Sequence, residues 1–169
     1  MAIVHDWLDA WRGGENVLAE VAAMYPQADL FALVDFLPDA ARARLAGRRA
    51  TTSFLQHVPG ARRHFRKLLP LFPRAIASLD VSGYDLVVSI SHAVAKGVRV
   101  RAGQRHVAYC LTPMRYAWDL RDAYFRAGTA AGWLRPLADP VLDRLCDWDR
   151  ASNAGVTAFA AISEFIAAR

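Results

Sequence analysis

Apolar residues in this 169-residue chain fall into two alternating patterns. The first consists of short continuous runs at residues 2–4, 29–34, 85–90, 106–111 and 157–162. Runs of this length without polar alternation predict strands covered on both faces. Residues 51–55 form a further short strand candidate. Between the runs the spacing becomes helical. Val17, Leu18, Val21 and Met24 follow Arg12-Gly13-Gly14-Glu15 on one side of a helix that Pro26 ends. A short helix is expected over residues 39–45. From Ala61 onward, Phe65, Leu68, Leu69, Phe72 and Ile76 recur opposite Arg62, Arg63, Arg66 and Lys67, and Pro70 and Pro73 divide that stretch into two short helices. One helical turn is expected at residues 93–97 and a helix over 116–125. Leu137, Val141, Leu145 and Trp148 mark the apolar face of a helix over about 138–152, and Ser163 is placed to cap a last helix beginning at Glu164.

Strands alternating with helices predict an α/β fold with a parallel sheet in a single domain. The composition agrees: 54% hydrophobic and 22% charged residues exclude disorder. No apolar run approaches the roughly 18 residues that span a bilayer, and charge at His5 and Asp6 argues against a secretory leader. Cys110 and Cys146 read as buried thiols in a reducing cytoplasm, paired neither as a disulfide nor around a metal. The net charge of +5 is unevenly distributed. Nine Lys or Arg and no Asp or Glu lie between Arg42 and Arg74, leaving twelve basic and sixteen acidic residues elsewhere. A localised anionic partner follows from that asymmetry.

In a parallel α/β sheet, ligands bind beyond the carboxyl ends of the strands. The polar residues expected there are His5-Asp6, Ser91-His92, Thr112 with Arg115, and Ser163-Glu164. Gly13-Gly14 before a helix suits either a phosphate, approached by free N–H groups, or a plain tight turn. The dinucleotide fingerprint G-x-G-x-x-G is absent, which argues against ordinary NAD binding. His92 is a candidate for orienting a sugar hydroxyl, or else a hydrogen-bonded structural group, and Lys96 either meets an anion or is solvated. Arg115, Tyr116, Trp118 and Asp119 suit a sugar face and its hydroxyls, or a packed helix start with an Arg–Asp pair. The basic helix from Ala61 fits an anionic membrane surface, with Phe65, Leu68 and Leu69 facing the acyl chains, or a solvated face packed on the sheet. Its charges lack interleaved stacking aromatics, which argues against nucleic acid.

Taken in order, Val4-His5-Asp6-Trp7-Leu8, Arg12-Gly13-Gly14-Glu15, Thr52-Ser53-Phe54-Leu55-Gln56, Pro70-Leu71-Phe72-Pro73, Ser91-His92-Ala93-Val94-Ala95-Lys96-Gly97 and Thr112 to Asp119 resemble bacterial family-4 glycosyltransferases. The mannosyltransferase-type members of lipopolysaccharide and exopolysaccharide assembly are the nearest group. The resemblance implies that residues 1–169 are the N-terminal, acceptor-side Rossmann-like domain of a GT-B enzyme, with a C-terminal donor-binding domain not among them. It implies a retaining, metal-independent hexosyl transfer from a nucleotide sugar, with GDP-mannose a candidate, to a glycan or lipid-linked acceptor. The enzyme would work in the cytoplasm, peripheral to an anionic inner-membrane surface, and these residues alone are not expected to catalyse transfer. Gly13 and Gly14 match the donor-phosphate loop and His92 the catalytic position. Asp6, Lys96, Thr112, Arg115, Tyr116, Trp118, Asp119, Ser163 and Glu164 match cleft positions. Two departures stand out: Leu111 where relatives commonly carry histidine, and Ile162 where they often carry asparagine. A non-catalytic basic module binding an anionic membrane or polymer is the alternative.

Overall fold

The computed structural model describes residues 1–124 and 134–169. Among them, six parallel strands form one sheet: β1 (Ala2–His5), β2 (Asp29–Ala32), β3 (Thr51–Thr52), β4 (Leu86–Ser91), β5 (Arg105–Cys110) and β6 (Ala158–Ala161). Their order is β3-β2-β1-β4-β5-β6. The chain winds outward from β1 in one direction, then crosses back to β4 and winds out in the other, which is the Rossmann-like, doubly wound arrangement. His5 lies level with both Ala32 and Ile90 in the register, so the carboxyl ends of β2, β1 and β4 finish together.

Helices cover both faces. Ile3, Leu30, Ala32 and Ile90 pack with Leu18 and Ala22 of α1 (Gly13–Met24) on one side. Ala2, Val4, Phe31 and Val87 pack on the other with α4 (Phe72–Ala77) and the long helix α6 (Arg135–Ser152). The short helices α2 (Asp39–Arg42), α3 (Ala61–His64), α5 (Arg121–Tyr124) and α7 (Glu164–Ala167) complete the order. Among the described residues no helix is long and apolar enough to cross a membrane. Both cysteines are free thiols.

Several expected elements change shape for local reasons. The strand expected over 51–55 stops at Thr52 because the Ser53 hydroxyl accepts from Leu55 N–H and starts a 3-10 turn, Phe54–His57. After Ala61 there are three pieces: α3, a 3-10 stretch Phe65–Leu71 holding Pro70, and α4 with Pro73 in its first turn. The helix expected over 116–125 is only turns up to α5, and Phe125 lies outside the described residues. In α6 the buried positions are Leu142, Leu145, Cys146 and Asp149, whereas Leu137 is 74% exposed and belongs to no core face. The Ser163 cap forms as expected, its hydroxyl accepting from Ile166 N–H at 3.3 Å.

Candidate functional site

The reversal of strand order between β1 and β4 opens a crevice at their carboxyl ends, where ligands bind in open α/β sheets. Asp6, the first residue beyond β1, lies beneath it with no exposed surface. Its Oδ2 accepts from the backbone N–H groups of His92 (2.6 Å) and Ala93 (3.1 Å), and Oδ1 from those of Val94 (2.5 Å) and Ala95 (2.7 Å). His92 Nδ1 adds a fifth contact at 2.8 Å. Burial by itself would raise the Asp6 pKa, but the His92 ring and the surrounding donors outweigh it and hold the carboxyl well below the usual carboxylate range. Asp6 is therefore not a ligand contact, contrary to the expectation that it lines the cleft. It shapes the loop after β4 and positions His92.

His92 is the group that Asp6 presents. Its side chain is 27% exposed and packs edge-on against Trp7 at 4.6 Å between ring centroids. With Nδ1 engaged by Asp6, Nε2 is the nitrogen left for the cleft. Burial pushes the His92 pKa down, yet Asp6 and then Glu15 outweigh burial and raise it, favouring the imidazolium. A folded-state pKa above the unfolded value contributes stability below pH about 6.5, which is lost as pH rises through the folded value. Chemical denaturation from pH 6 upward is expected to show this decline. His92→Asn, which keeps a donor near the Nδ1 position but does not titrate, should flatten it, and an unchanged slope would remove His92 as its source.

The glycine turn enters α1 beside this pair. A Cβ on Gly13 would meet nothing within 4 Å, so its flank is open. A Cβ on Gly14 would stand 3.0 Å from Leu111 Cδ1 and 3.5 Å from His5 Cε1, placing Leu111, one of the two departures, directly against the loop. His5 Nδ1 donates to Ile90 O at 3.0 Å, and Nε2 faces Glu15 Oε1 at 3.5 Å. Glu15 is itself buried, and its other oxygen accepts from Arg12 N–H at 2.7 Å, closing the first turn of α1. Burial opposes the charge on Glu15, but His5 and the backbone donors lower its pKa.

Above Asp6 and His92 lies a cleft of about 490 Å³ whose walls include Trp7, Phe72, His92, Tyr116, Arg12, Arg66 and Arg115. Arg115 and Tyr116 reach it as expected. Arg66 does as well, although the sequence pattern placed it on a membrane face. Trp7 and Arg12 were visible in the motifs but not singled out; their position just past β1 was the available signal.

Other expected cleft residues serve the scaffold. Lys96 Nζ is held by Asp149 O (2.5 Å), Asp149 Oδ1 (3.0 Å), Ser152 Oγ (3.0 Å) and Asn153 Oδ1 (2.6 Å) at the end of α6. Trp118 Nε1 donates to Asp149 Oδ2 at 2.9 Å, and Arg150 lies over its ring. Asp149 thus ties the loops carrying His92 and Tyr116 to one helix, a role nothing in the sequence signalled. Asp119 pairs with Arg169 and not with Arg115. Thr112 Oγ1 donates to Pro113 O at 3.1 Å, while Ser163 and Glu164 follow the edge strand β6, outside the cleft lining. Arg62, Arg63 and Lys67 are exposed, whereas Phe65 is 2% exposed and stacks on Phe72. Phe65 is packed inside the core against Trp7, Phe36 and Phe72, so its ring is not on the exposed face that carries Arg62, Arg63 and Lys67. Comparison with protein-family models, curated proteins and solved structures gives no match to this chain.

Proposed function

We propose that this chain is the acceptor-side domain of a retaining, nucleotide-sugar-dependent glycosyltransferase of cell-surface polysaccharide or lipopolysaccharide assembly. It transfers a hexosyl group, with mannose from GDP-mannose the first candidate, to a glycan or lipid-linked acceptor at the cytoplasmic face of the inner membrane. The observation that carries this reading is the convergence of three features at one strand-order reversal. The α1 N-terminus enters from the glycine turn, the Asp6–His92 pair closes the base, and an aromatic and cationic cleft stands above them.

In this reading the N–H groups at Gly13 and Gly14, with the partial positive charge of the α1 terminus, face the leaving diphosphate as charge develops on it. His92 presents Nε2 to a sugar hydroxyl, and its imidazolium form adds positive charge opposite the phosphates. Leu111 puts an apolar wall on the loop flank, where a hydroxyl would lose its hydrogen bond. Exposed Arg62, Arg63 and Lys67 supply charge for peripheral contact with anionic lipid. A second reading, a basic module without transferase activity, rests on the same exposed charges.

A hexosyl-transfer assay separates them, run on the polypeptide carrying both domains with a panel of nucleotide sugars and a membrane extract as acceptor. Gly13→Val tests the loop cleanly because the added side chain meets nothing within the protein at its Cβ. Transfer is expected to fall about a hundredfold at an unchanged unfolding midpoint. A folded protein that transfers no sugar from any donor would favour the module.

A further inference from the structure

A second groove, sharing no wall residue with the cleft, runs between α4 and α6. Both helices approach the 3-10 turn Ala95–Gly97, which supplies part of the floor. One half is a cavity of about 240 Å³ with Pro70 and Pro73 on one bank and Val141 and Leu145 on the other. The other half, about 630 Å³, continues from Pro73 past Ala77 to Trp148 and Ala151. On α6 the lining positions Val141, Arg144, Leu145, Trp148 and Ser152 recur at three- and four-residue spacing. One stripe of the helix therefore faces the groove over roughly 16 Å. Gly97 seats the aromatic part of the floor. A Cβ there would collide with the Trp148 ring, so glycine is what lets the indole lie against the turn.

The charge around this groove is unbalanced. Arg74 belongs to α4, Arg99 lies between the turn and β5, and Arg144 belongs to α6; all three are exposed and line it. None of them has a hydrogen bond or ion pair among the described residues, and no described carboxylate lines either half. The exposed acids of α6 are engaged elsewhere. Asp139 and Asp143 pair with Arg121, and Asp147 pairs with Arg150. Helix α6 thus satisfies its acids away from the groove and leaves its groove-side arginine unpaired. Three separate elements place unopposed cations around one apolar floor, which favours an occupant of negative charge.

We infer that this groove docks an acidic amphipathic helix of a partner protein, its apolar stripe over Pro73, Ala77 and Trp148 and its carboxylates toward Arg74, Arg99 and Arg144. A groove between two helices accepts a third by seating its ridge of side chains, and no described strand residue lines this one to pair with an extended peptide. Proline, alanine and valine with a single tryptophan give no row of stacking platforms for bases. A flat bilayer meets the exposed arginines but not a floor recessed between helices. Docking here requires nothing of the cleft beside His92, so it is independent of the transferase reading.

The test is peptide binding to the 169-residue chain, read by NMR at the indole N–H of Trp148, with that of Trp7 in the cleft as the control. The probe is a helical peptide of roughly 15 residues with leucine along one stripe and glutamate on both flanks. It is compared with the same peptide carrying glutamine for glutamate, with a scrambled order, and with phosphatidylglycerol vesicles. The glutamate helix is expected to shift Trp148 but not Trp7, and to bind at least tenfold more tightly than the other two peptides. Arg74→Gln, Arg99→Gln and Arg144→Gln should each weaken it about two- to fivefold, the range of a half-exposed ion pair, at unchanged thermal midpoints. Ala151→Arg adds a cation but fills the groove, and is expected to weaken binding at least fivefold. Stronger binding by Ala151→Arg would mean general attraction between charges and overturns the docking site. So does a scrambled or glutamine peptide that matches the glutamate helix, or a Trp148 signal that no peptide moves. Vesicles that shift Trp148 and lose that effect in the arginine variants, where the peptide does not, would make the surface a membrane face instead.

Discussion

Asp6→Asn is expected to destabilise the fold by about 3–5 kcal/mol, the usual range for breaking a buried charge pair, although it changes almost no volume. The carboxylate receives four backbone N–H groups and the His92 ring, two contacts on one oxygen from His92 and Ala93 and two on the other from Val94 and Ala95. An amide keeps one acceptor. Whichever way it turns, its NH2 faces a pair of N–H donors that no longer have an acceptor, and unsatisfied buried donors cost about 1–3 kcal/mol each. The sign of the pH dependence follows from the lowered Asp6 pKa. The contribution is present above the unfolded value near 4 and is lost only as the solution becomes strongly acidic. Chemical denaturation at pH 7 is the measurement, and a loss under about 1 kcal/mol would show that the loop does not depend on the charge. The variant should also abolish the alkaline stability decline assigned to His92, because the partner that raises its pKa is gone.

This hub marks where the sequence was legible and where it was not. The strands at residues 2–5 and 86–91 announced themselves because both faces of each are covered, leaving no polar alternation. Polar residues just past such strands had to lie near a crevice, and His92 after β4 and Arg115 after β5 do line one. What spacing could not say is which way a side chain turns. Asp6 points down to satisfy donors rather than up to a ligand. Lys96 turns toward α6 because Asp149, Ser152 and Asn153 offer it oxygens, and those partners lie more than fifty residues away in sequence. The same distance hid Asp149. Helical periodicity around Phe65 left two readings open, a membrane face and a face packed on the sheet, and the packed one holds. Phe65, Phe72 and Ile76 are buried while Arg62, Arg63 and Lys67 stay exposed, although Pro70 and the non-helical Leu68 break the stretch into short pieces.

The basic segment shows a further limit of counting charge, and it carries the second large effect. Arg42 opens the run of nine unopposed cations in sequence, yet in the fold it is 4% exposed. Its Nη1 donates to Asp35 Oδ2 and its Nη2 to Asp35 Oδ1, both at 2.8 Å, and the same nitrogens reach Arg48 O and Leu37 O. Asp35 in turn accepts from the N–H groups of Leu37 and Ala50, so one bidentate pair fastens the end of β2 to α2 and to the entry of β3. Burial disfavours the Asp35 charge, but Arg42 overrides it and keeps the carboxylate ionised. Removing the guanidinium strands that carboxylate in a site too buried for water to replace it. Arg42→Ala is therefore expected to lower stability by about 3–5 kcal/mol in chemical denaturation. Arg62→Ala, an equal change in net charge on an exposed position, should stay within about 0.5 kcal/mol. Equal effects would mean that the pair is only a surface charge. The expected contrast would remove Arg42 from the cations available to an anionic partner and leave that role to Arg62, Arg63 and Lys67 outside the cleft and Arg66 within it.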